Sequence, residues 1–257
     1  MTNKKIIAVI PARMEASRFP GKPLAKILDF PLVEHVRRRT LLSEKIDEVV
    51  VATCNQEIKE VIESYGGKVV MTANTHERCT DRVEEAMTKL EADIVVIVQG
   101  DEPLFSPGII EHLVQPMLDD NTIVCTNLLS NIFDESDLQD VDIVKASINK
   151  YQKLMFYSRS PIPHIRVRKK CPMFRQTGVS AFSKSFLSQF TALEETPLEV
   201  VESVDFLRIL EHGFEIHGVI YDQLTFGVDR PDDVEKVTNI LLNDPKQIKY
   251  YLEIKNL

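Results

Sequence analysis

The stretch IIAVIPARMEASRFPGKP, residues 6–23, decides the reading of the fold. Its first five residues, 6–10, are apolar and mostly β-branched, the pattern of a strand buried on both faces. The chain then enters a loop that spends Arg13, Arg18 and Lys22 within ten residues, stiffened and bent by Pro11, Pro20, Gly21 and Pro23. Open α/β sheets bind ligands beyond the carboxyl ends of their strands. Three cations crowded there call for an anion, and a polyphosphate suits them. The plainer alternative is a solvated basic loop with no ligand.

Outward from this stretch, apolar runs at 49–54, 68–71, 94–98 and 123–128 alternate with helical spacing at 32–42, 57–65, 81–90 and 109–118. In the second of these helices Ile58, Val61, Ile62 and Tyr65 share one face, and Gly66-Gly67 stops it. The alternation predicts right-handed βαβ units: an α/β fold with a mostly parallel central sheet and helices on both faces. The first loop is not GxGxxG, which disfavours a dinucleotide site. After about residue 140 the rhythm changes. Strands are expected at 143–148 and 174–182, around a polar, proline-bearing insert at 158–172 that holds Arg159, Arg166, Arg168, Lys169 and Lys170. We read this insert as a smaller lobe closing over the carboxyl edge of the sheet. Helices at 198–211 and 232–242 enclose a strand at 215–221, and the tail 247–257 reads as a terminal helix. The expectation is one domain, 1–257, with an α/β core at 1–140 that carries the anion-binding loop and a closing portion at 141–257.

With 257 residues, 44% hydrophobic and 27% charged, the composition is that of an ordinary globular protein with one substantial core. The net charge of −8 disfavours nucleic acid as a partner. Neither a signal peptide nor a membrane span is expected, since no long apolar stretch follows Lys4 and Lys5. Cys54, Cys79, Cys125 and Cys171 show no metal-ligand spacing, and Cys54 and Cys125, in apolar runs, read as reduced core residues, so a cytoplasmic location is expected.

Val98-Gln99-Gly100-Asp101-Glu102-Pro103 places a carboxylate directly after a buried run. Such a group is costly unless paired or bound to a cation. Gly100 reads as a point where the backbone approaches a ligand. A polyphosphate is commonly bound with Mg²⁺, which typically takes one or two protein carboxylates plus waters. Asp101 fits the first, and Asp229 in Phe226-Gly227-Val228-Asp229 fits the second, at an expected strand end. The competing reading of Asp229 is a helix N-cap ahead of Pro231-Asp232-Asp233. His76, His164 and His217 read as structural or peripheral, because a metal-acidified hydroxyl needs no histidine base and no nucleophile elbow is visible.

The pattern A-R-x-x-x-S-R-x-P-G-K, here Ala12, Arg13, Ser17, Arg18, Pro20, Gly21 and Lys22, resembles the signature loop of the 3-deoxy-manno-octulosonate (Kdo) cytidylyltransferases. The resemblance continues through VVVATCNQEI, the H-x-x-x-T-D-R at 76–82, VQGDEP at 98–103, SRSPIP at 158–163, TPLE at 196–199 and GVDRPDD at 227–233. It therefore covers nearly the whole chain in collinear order. It implies a nucleotide-diphospho-sugar transferase-like fold, a homodimer with a dimerisation lobe, and Mg²⁺ as cofactor. It further implies that Arg13 and Lys22 hold the triphosphate of CTP and, with Asp101, form the catalytic set, while Ala12, Arg78, Thr80 and Gln99 contact the nucleotide. For Thr80 the alternative is simple helix capping, compatible with that contact.

On the sugar side the chain departs from the family it resembles. His164 stands where a Trp is typical, and the chain has no Trp. Gln176 and Ser180 replace a His and a Tyr in the segment Arg175-Gln176-Thr177-Gly178-Val179-Ser180-Ala181-Phe182. Asp205 keeps an acidic position, but Phe206 replaces a Gln, and Arg78-Cys79-Thr80 replaces S-G-T. Arg159 and Arg166 match positions that hold the carboxylate or hydroxyls of an acid sugar. The resemblance thus implies transfer of CMP from CTP to the anomeric hydroxyl of a 3-deoxy-2-ulosonic acid, Kdo or a modified relative, for bacterial surface polysaccharide such as lipopolysaccharide. The alternatives are a nucleotidyltransferase for another acidic sugar such as a nonulosonic acid, or a non-catalytic sugar-nucleotide-binding protein.

Overall fold

The apolar residues 6–10 form the strand they announce: β1 (Ile6–Ala12) is buried along its whole length. The protein, seen in a computed structural model, is described over residues 4–15, 18–167, 172–221 and 226–257. Two units divide the chain, residues 1–111 together with 225–257, and residues 112–224. In the first unit the chain runs from β1 through a short hairpin, β2 (Lys26–Ile27) and β3 (Phe30–Pro31), into α1 (Leu32–Leu41). It continues as β4 (Glu48–Thr53), α2 (Gln56–Ser64), β5 (Lys68–Met71), α3 (Cys79–Met87) and β6 (Ile94–Val98), and α4 (Ile109–Asp119) begins in this unit and falls mostly in the second. The strand order is β6-β1-β4-β5, every pair parallel, as continuous apolar strands joined by helices require. Helices α1, α2 and α3 pack on these strands. Pairing of β1 with β6 covers only Ile6–Val9, so Pro11 sits where the β6 ladder has ended and its missing N–H costs nothing.

The second unit is mixed. It holds β7 (Cys125–Asn131), α5 (Glu135–Gln139), β8 (Lys145–Ile148), β9 (Leu154–Ser158), β10 (Phe174–Ser183), α6 (Lys184–Thr191), α7 (Pro197–Glu202), α8 (Phe206–Glu211) and β11 (His217–Tyr221). Strand β7 pairs parallel to β11 and antiparallel to β10, whose register shifts between Gln176 and Ser180. Strand β8 pairs with β10 and, as a hairpin, with β9. The chain then returns to the first unit as α9 (Pro231–Asn243) and α10 (Pro245–Lys255).

Several elements differ from the sequence expectation. Strand β9 and helices α5 and α6 were not anticipated, and the strand expected at 123–128 lies at Cys125–Asn131. The helix expected at 198–211 is two helices, broken at Ser203 in the left-handed region (φ 51°). The break has a cause in side chains far along the sequence. The Glu202 carboxylate accepts from Ser158 Oγ and Arg159 N–H, and the Arg159 guanidinium donates to the Glu202 carbonyl. Periodicity could not foresee that. Of the insert cations, Arg168, Lys169 and Lys170, like Cys171, lie outside the described residues.

Behind the first loop, a small cluster of side chains knits hairpin, α1 and α10 together. His35 is fully buried, with Nε2 2.6 Å from the Ile27 carbonyl. Its ring meets Phe30 edge-on at 5.5 Å and stacks on Tyr251 at 6.0 Å. Burial lowers its pKa to about 4. The unfolded chain therefore takes up a proton near pH 6.5 that the folded protein refuses until about pH 4. Stability contributed by neutral His35 is present above pH 6.5 and declines as pH falls, by roughly 3 kcal/mol near pH 4. His35→Gln keeps a donor for Ile27 but cannot titrate. Denaturant midpoints measured from pH 7 to 4 should fall less steeply in the variant, and parallel curves would refute the assignment.

Candidate active site

The basic loop is closed by its own backbone. Met14 N–H donates to Asn55 Oδ1 at 3.0 Å, and Gly21 N–H donates to the Met14 carbonyl at 3.0 Å. Gly21 holds φ at +74°, a conformation costly for a residue with a Cβ. The following turn, Lys22–Leu24, starts from this glycine, with Pro23 buried beneath it. Lys22 is thereby aimed at the end of β6. Ser17, part of the loop pattern, lies outside the described residues.

At the end of β6, a Cβ on Gly100 would stand 3.2 Å from the Pro11 carbonyl. The glycine therefore answers to the neighbouring strand, where the sequence suggested approach to a ligand. Asp101 is anchored through its carbonyl, which accepts from Val228 N–H at 2.8 Å. Val228 is fully buried among Ile27, Leu32, Leu104, Val237 and Leu241, so its neighbour Asp229 is held opposite Asp101. Asp229 does not lie at a strand end; it precedes α9. Nor is it the cap of that helix. Asp233 accepts from the N–H groups of Asp229 and Arg230, leaving the Asp229 carboxylate for other work. Lys22 Nζ lies 2.6 Å from Asp101 Oδ2 and 3.5 Å from Asp229 Oδ1, and Arg18 Nη2 lies 3.2 Å from the same Asp229 oxygen.

Two carboxylates that share one ammonium define a place for a cation. Both donors are hard oxygens, and no group of three or more metal-ligating side chains occurs among the described residues. That set fits Mg²⁺, which completes its shell with waters and phosphates, and not zinc, which wants three or four protein ligands.

Around this cluster opens a cleft of about 240 Å³, lined by Arg13, Arg18, Lys22, Gln99, Asp101 and Asp229. It continues past Ala12 and Arg13 to a groove bounded by His76, Glu77, Arg78, Cys79 and Arg82. The nucleotide residues expected from sequence thus collect here, except Thr80, which is buried inside the first turn of α3. Thr80 is not the cap; Arg78 holds that position. The segment is fixed by His76, 2.5 Å from Glu85, and by Arg82, which donates to Thr72 Oγ1 and the Ala73 carbonyl. Cys79 Sγ donates to Gln99 Oε1 at 3.4 Å. Sequence reasoning missed the Arg18–Asp229 pair and the capping by Asp233. The i, i+4 spacing of Asp229 and Asp233 was the only available sign.

The residues expected at the sugar lie in the second unit, and the structure treats them unequally. Arg159 spends Nε, Nη1 and Nη2 on the carbonyls of Glu202, Val141 and Ser203. Two of its five N–H donors remain. Arg166 is exposed, and Gln176 is half-buried where β10 shifts register. Ser180 is buried opposite Asn127. Asp205 stands at the start of α8. Phe206 is only 6% exposed, its ring stacked on Phe182 at 5.7 Å and on Tyr157 at 6.1 Å. The ring is therefore committed to the core and not to the sugar side, where the resemblance put it.

A family model described as cytidylyltransferase matches residues 7–216. A 3-deoxy-manno-octulosonate cytidylyltransferase of Geobacter metallireducens is 38% identical, over 92% of this chain and 98% of its own length. One of Escherichia coli is 36% identical, over 93% and 97%. The solved structure of CMP:2-keto-3-deoxy-manno-octonic acid synthetase complexed with CTP superposes with a TM-score of 0.89 at 36% identity, covering 93% of this chain and 99% of that one. The crystal structure of 4-diphosphocytidyl-2C-methyl-D-erythritol synthase from Anaerococcus prevotii shares the fold, with a TM-score of 0.62 at 15% identity over 94% and 100%.

Gly21→Ala tests the loop. A Cβ there meets nothing nearer than Met14 Cε at 3.7 Å, so the cost is conformational alone. A loss of about 1–2 kcal/mol is expected in urea denaturation. No loss would mean that the loop does not need its left-handed glycine.

Proposed function

This chain belongs to the cytidylyltransferase family, and from that premise we propose that it transfers CMP from CTP to the anomeric hydroxyl of a Kdo-type 3-deoxy-2-ulosonic acid, releasing pyrophosphate. The observation that carries the reading is the cluster of Lys22, Arg18, Asp101 and Asp229 beside a basic cleft at the ends of β1 and β6. Arg13, Arg18 and Lys22 bind and orient the triphosphate so that the α-phosphorus is open to in-line attack. Little covalent chemistry falls to the protein in such a transfer, which rests on alignment and charge neutralisation. Asp101 and Asp229 would hold Mg²⁺, with Lys22 turned to a phosphate oxygen. A metal bound there would supply charge neutralisation at the phosphates and acidity at the attacking hydroxyl. Gln99 and the Arg78–Cys79 turn face the nucleoside. Arg166, the remaining donors of Arg159, Gln176, Ser180 and Asp205 serve the acid sugar. Within this reading the enzyme is a cytoplasmic homodimer that feeds lipopolysaccharide synthesis. No helix among the described residues is long and apolar enough to cross a membrane.

Asp101→Asn and Asp229→Asn should each leave the melting temperature near wild type and cut kcat by about 10²–10³, the range found for a lost transition-state electrostatic partner. Near-normal turnover in magnesium by both variants would remove the metal assignment.

Pyrophosphate release measured with CTP and a panel of sugar acids tests the function itself. Release is expected with octulosonic acids, and its absence with every acid sugar would overturn the reading. The replaced positions Gln176 and Ser180 lead us to expect a modified octulosonic acid, bearing an amino, acylamino or deoxy substituent, to exceed Kdo in kcat/KM. Buried hydrogen-bonding groups left unpaired by the wrong sugar discriminate strongly. Equal kcat/KM for Kdo would show that these substitutions leave specificity unchanged.

A further inference from the structure

Asp101 can act only if the loop that carries it stays where β6 leaves it, and that loop is gripped at three successive points by groups distant in sequence. Val228 N–H takes the Asp101 carbonyl at 2.8 Å. Gln247 Nε2 takes the Leu104 carbonyl at 3.0 Å, and Arg39 Nη1 takes the Phe105 carbonyl at 3.1 Å. The second and third grips are one device, because Arg39 Nη1 also donates to Gln247 Oε1 at 2.5 Å. This settles the orientation of the amide by chemistry. A guanidinium only donates, so the oxygen of Gln247 must face Arg39 and its NH₂ must face Leu104.

Each half of the device is itself held. Gln247 N–H donates to Asp244 Oδ1 at 2.9 Å, the cap of α10. Arg39 is fully buried at the end of α1, its guanidinium 5.3 Å from the Tyr250 ring centre. Its Nε and Nη2 have no hydrogen-bond partner among the described residues. A buried cation with unmet donors is a poor way to fill space, since an apolar side chain of similar volume commonly stabilises as well or better. Arg39 makes sense as a group placed to reach the Phe105 carbonyl.

We propose that Arg39 and Gln247 are positioning residues that hold the loop 99–105 from behind and so fix the Asp101 carboxylate, making α10 part of the catalytic apparatus although it lies beyond the region matched by the family model. The inference rests on the metal role given to Asp101 above. Neither residue touches nucleotide or metal; both act through backbone carbonyls.

The test compares three full-length variants. Gln247→Leu removes both the donor to the Leu104 carbonyl and the acceptor that Arg39 uses, leaving the Arg39–Phe105 bond. Gln247→Glu keeps an acceptor for Arg39 and replaces the donor to Leu104 with a carboxylate oxygen, so it releases the loop while Arg39 keeps its partner. Tyr251→Phe removes the hydroxyl that α10 gives to Asp29, an anchor of the same helix that does not touch this loop. Hydrogen exchange followed by mass spectrometry reads the peptide covering 99–105, and the magnesium concentration at half-maximal rate reads the carboxylate. Both Gln247 variants should exchange about fivefold faster there, the equilibrium factor of one ordinary hydrogen bond, and should need several-fold more magnesium. Tyr251→Phe should change neither. Unchanged exchange in both Gln247 variants overturns the proposal, as does faster exchange with an unmoved magnesium midpoint, or equal effects in Tyr251→Phe. Wild-type turnover with CTP tests the functional reading separately, and exchange reports on the grip whatever the turnover.

Discussion

Two carboxylates held face to face repel one another unless a cation lies between them, and the first unit is organised around that constraint. Asp101 and Asp229 come from positions 128 residues apart in the chain and meet at a single ammonium, Lys22 Nζ. The backbone enforces their meeting. Val228 N–H is bonded to the Asp101 carbonyl, and its side chain is sealed in an apolar cluster with Leu104. The backbone thus sets the two carboxylates on either side of Lys22 Nζ, and that ammonium answers both. The same geometry that lets Lys22 satisfy them makes them a fitting seat for a hard divalent ion.

The scaffold behind the cluster explains why an acidic protein can hold a polyanion. The net charge of −8 repels such a ligand at long range, but the cleft carries Arg13, Arg18 and Lys22 on a loop whose shape is fixed by backbone bonds. Local preorganisation outweighs a screened global field, because exposed charges beyond about 10 Å contribute little at ordinary ionic strength. The C-terminal helices belong to this scaffold. Helix α9 supplies Val237 and Leu241 to the cluster around Val228, and α10 reaches hairpin, α1 and the Asp101 loop through Tyr251, Ile254 and Gln247.

Much of the architecture was legible in the sequence because burial imposes period. Strands buried on both faces are continuous apolar runs, and helices on a sheet show one apolar stripe, so β1, β4, β5, β6 and the helices between them were readable. The second unit was harder. Its strands are partly exposed, as in β9, where Leu154 and Tyr157 are buried and Met155 is not, and this five-residue pattern is too short to distinguish from a loop. The kink at Ser203 lay beyond local pattern altogether, since its cause is Arg159, 44 residues earlier.

The sequence by itself determined the fold class, the family and the inventory of the site, because these rest on residue types at short spacing: cations after a buried strand, an aspartate after another, a glycine with room to turn. Only the tertiary structure decided what those residues do for one another. It gave Lys22 to both carboxylates, capping of α9 to Asp233 and not Asp229, the ring of Phe206 to the core, and the Leu104 carbonyl to Gln247, 143 residues away. The physical reason is that one side chain can satisfy several partners equally well. Local spacing limits which roles are open to it, while the choice among them depends on groups that meet only when the chain has folded.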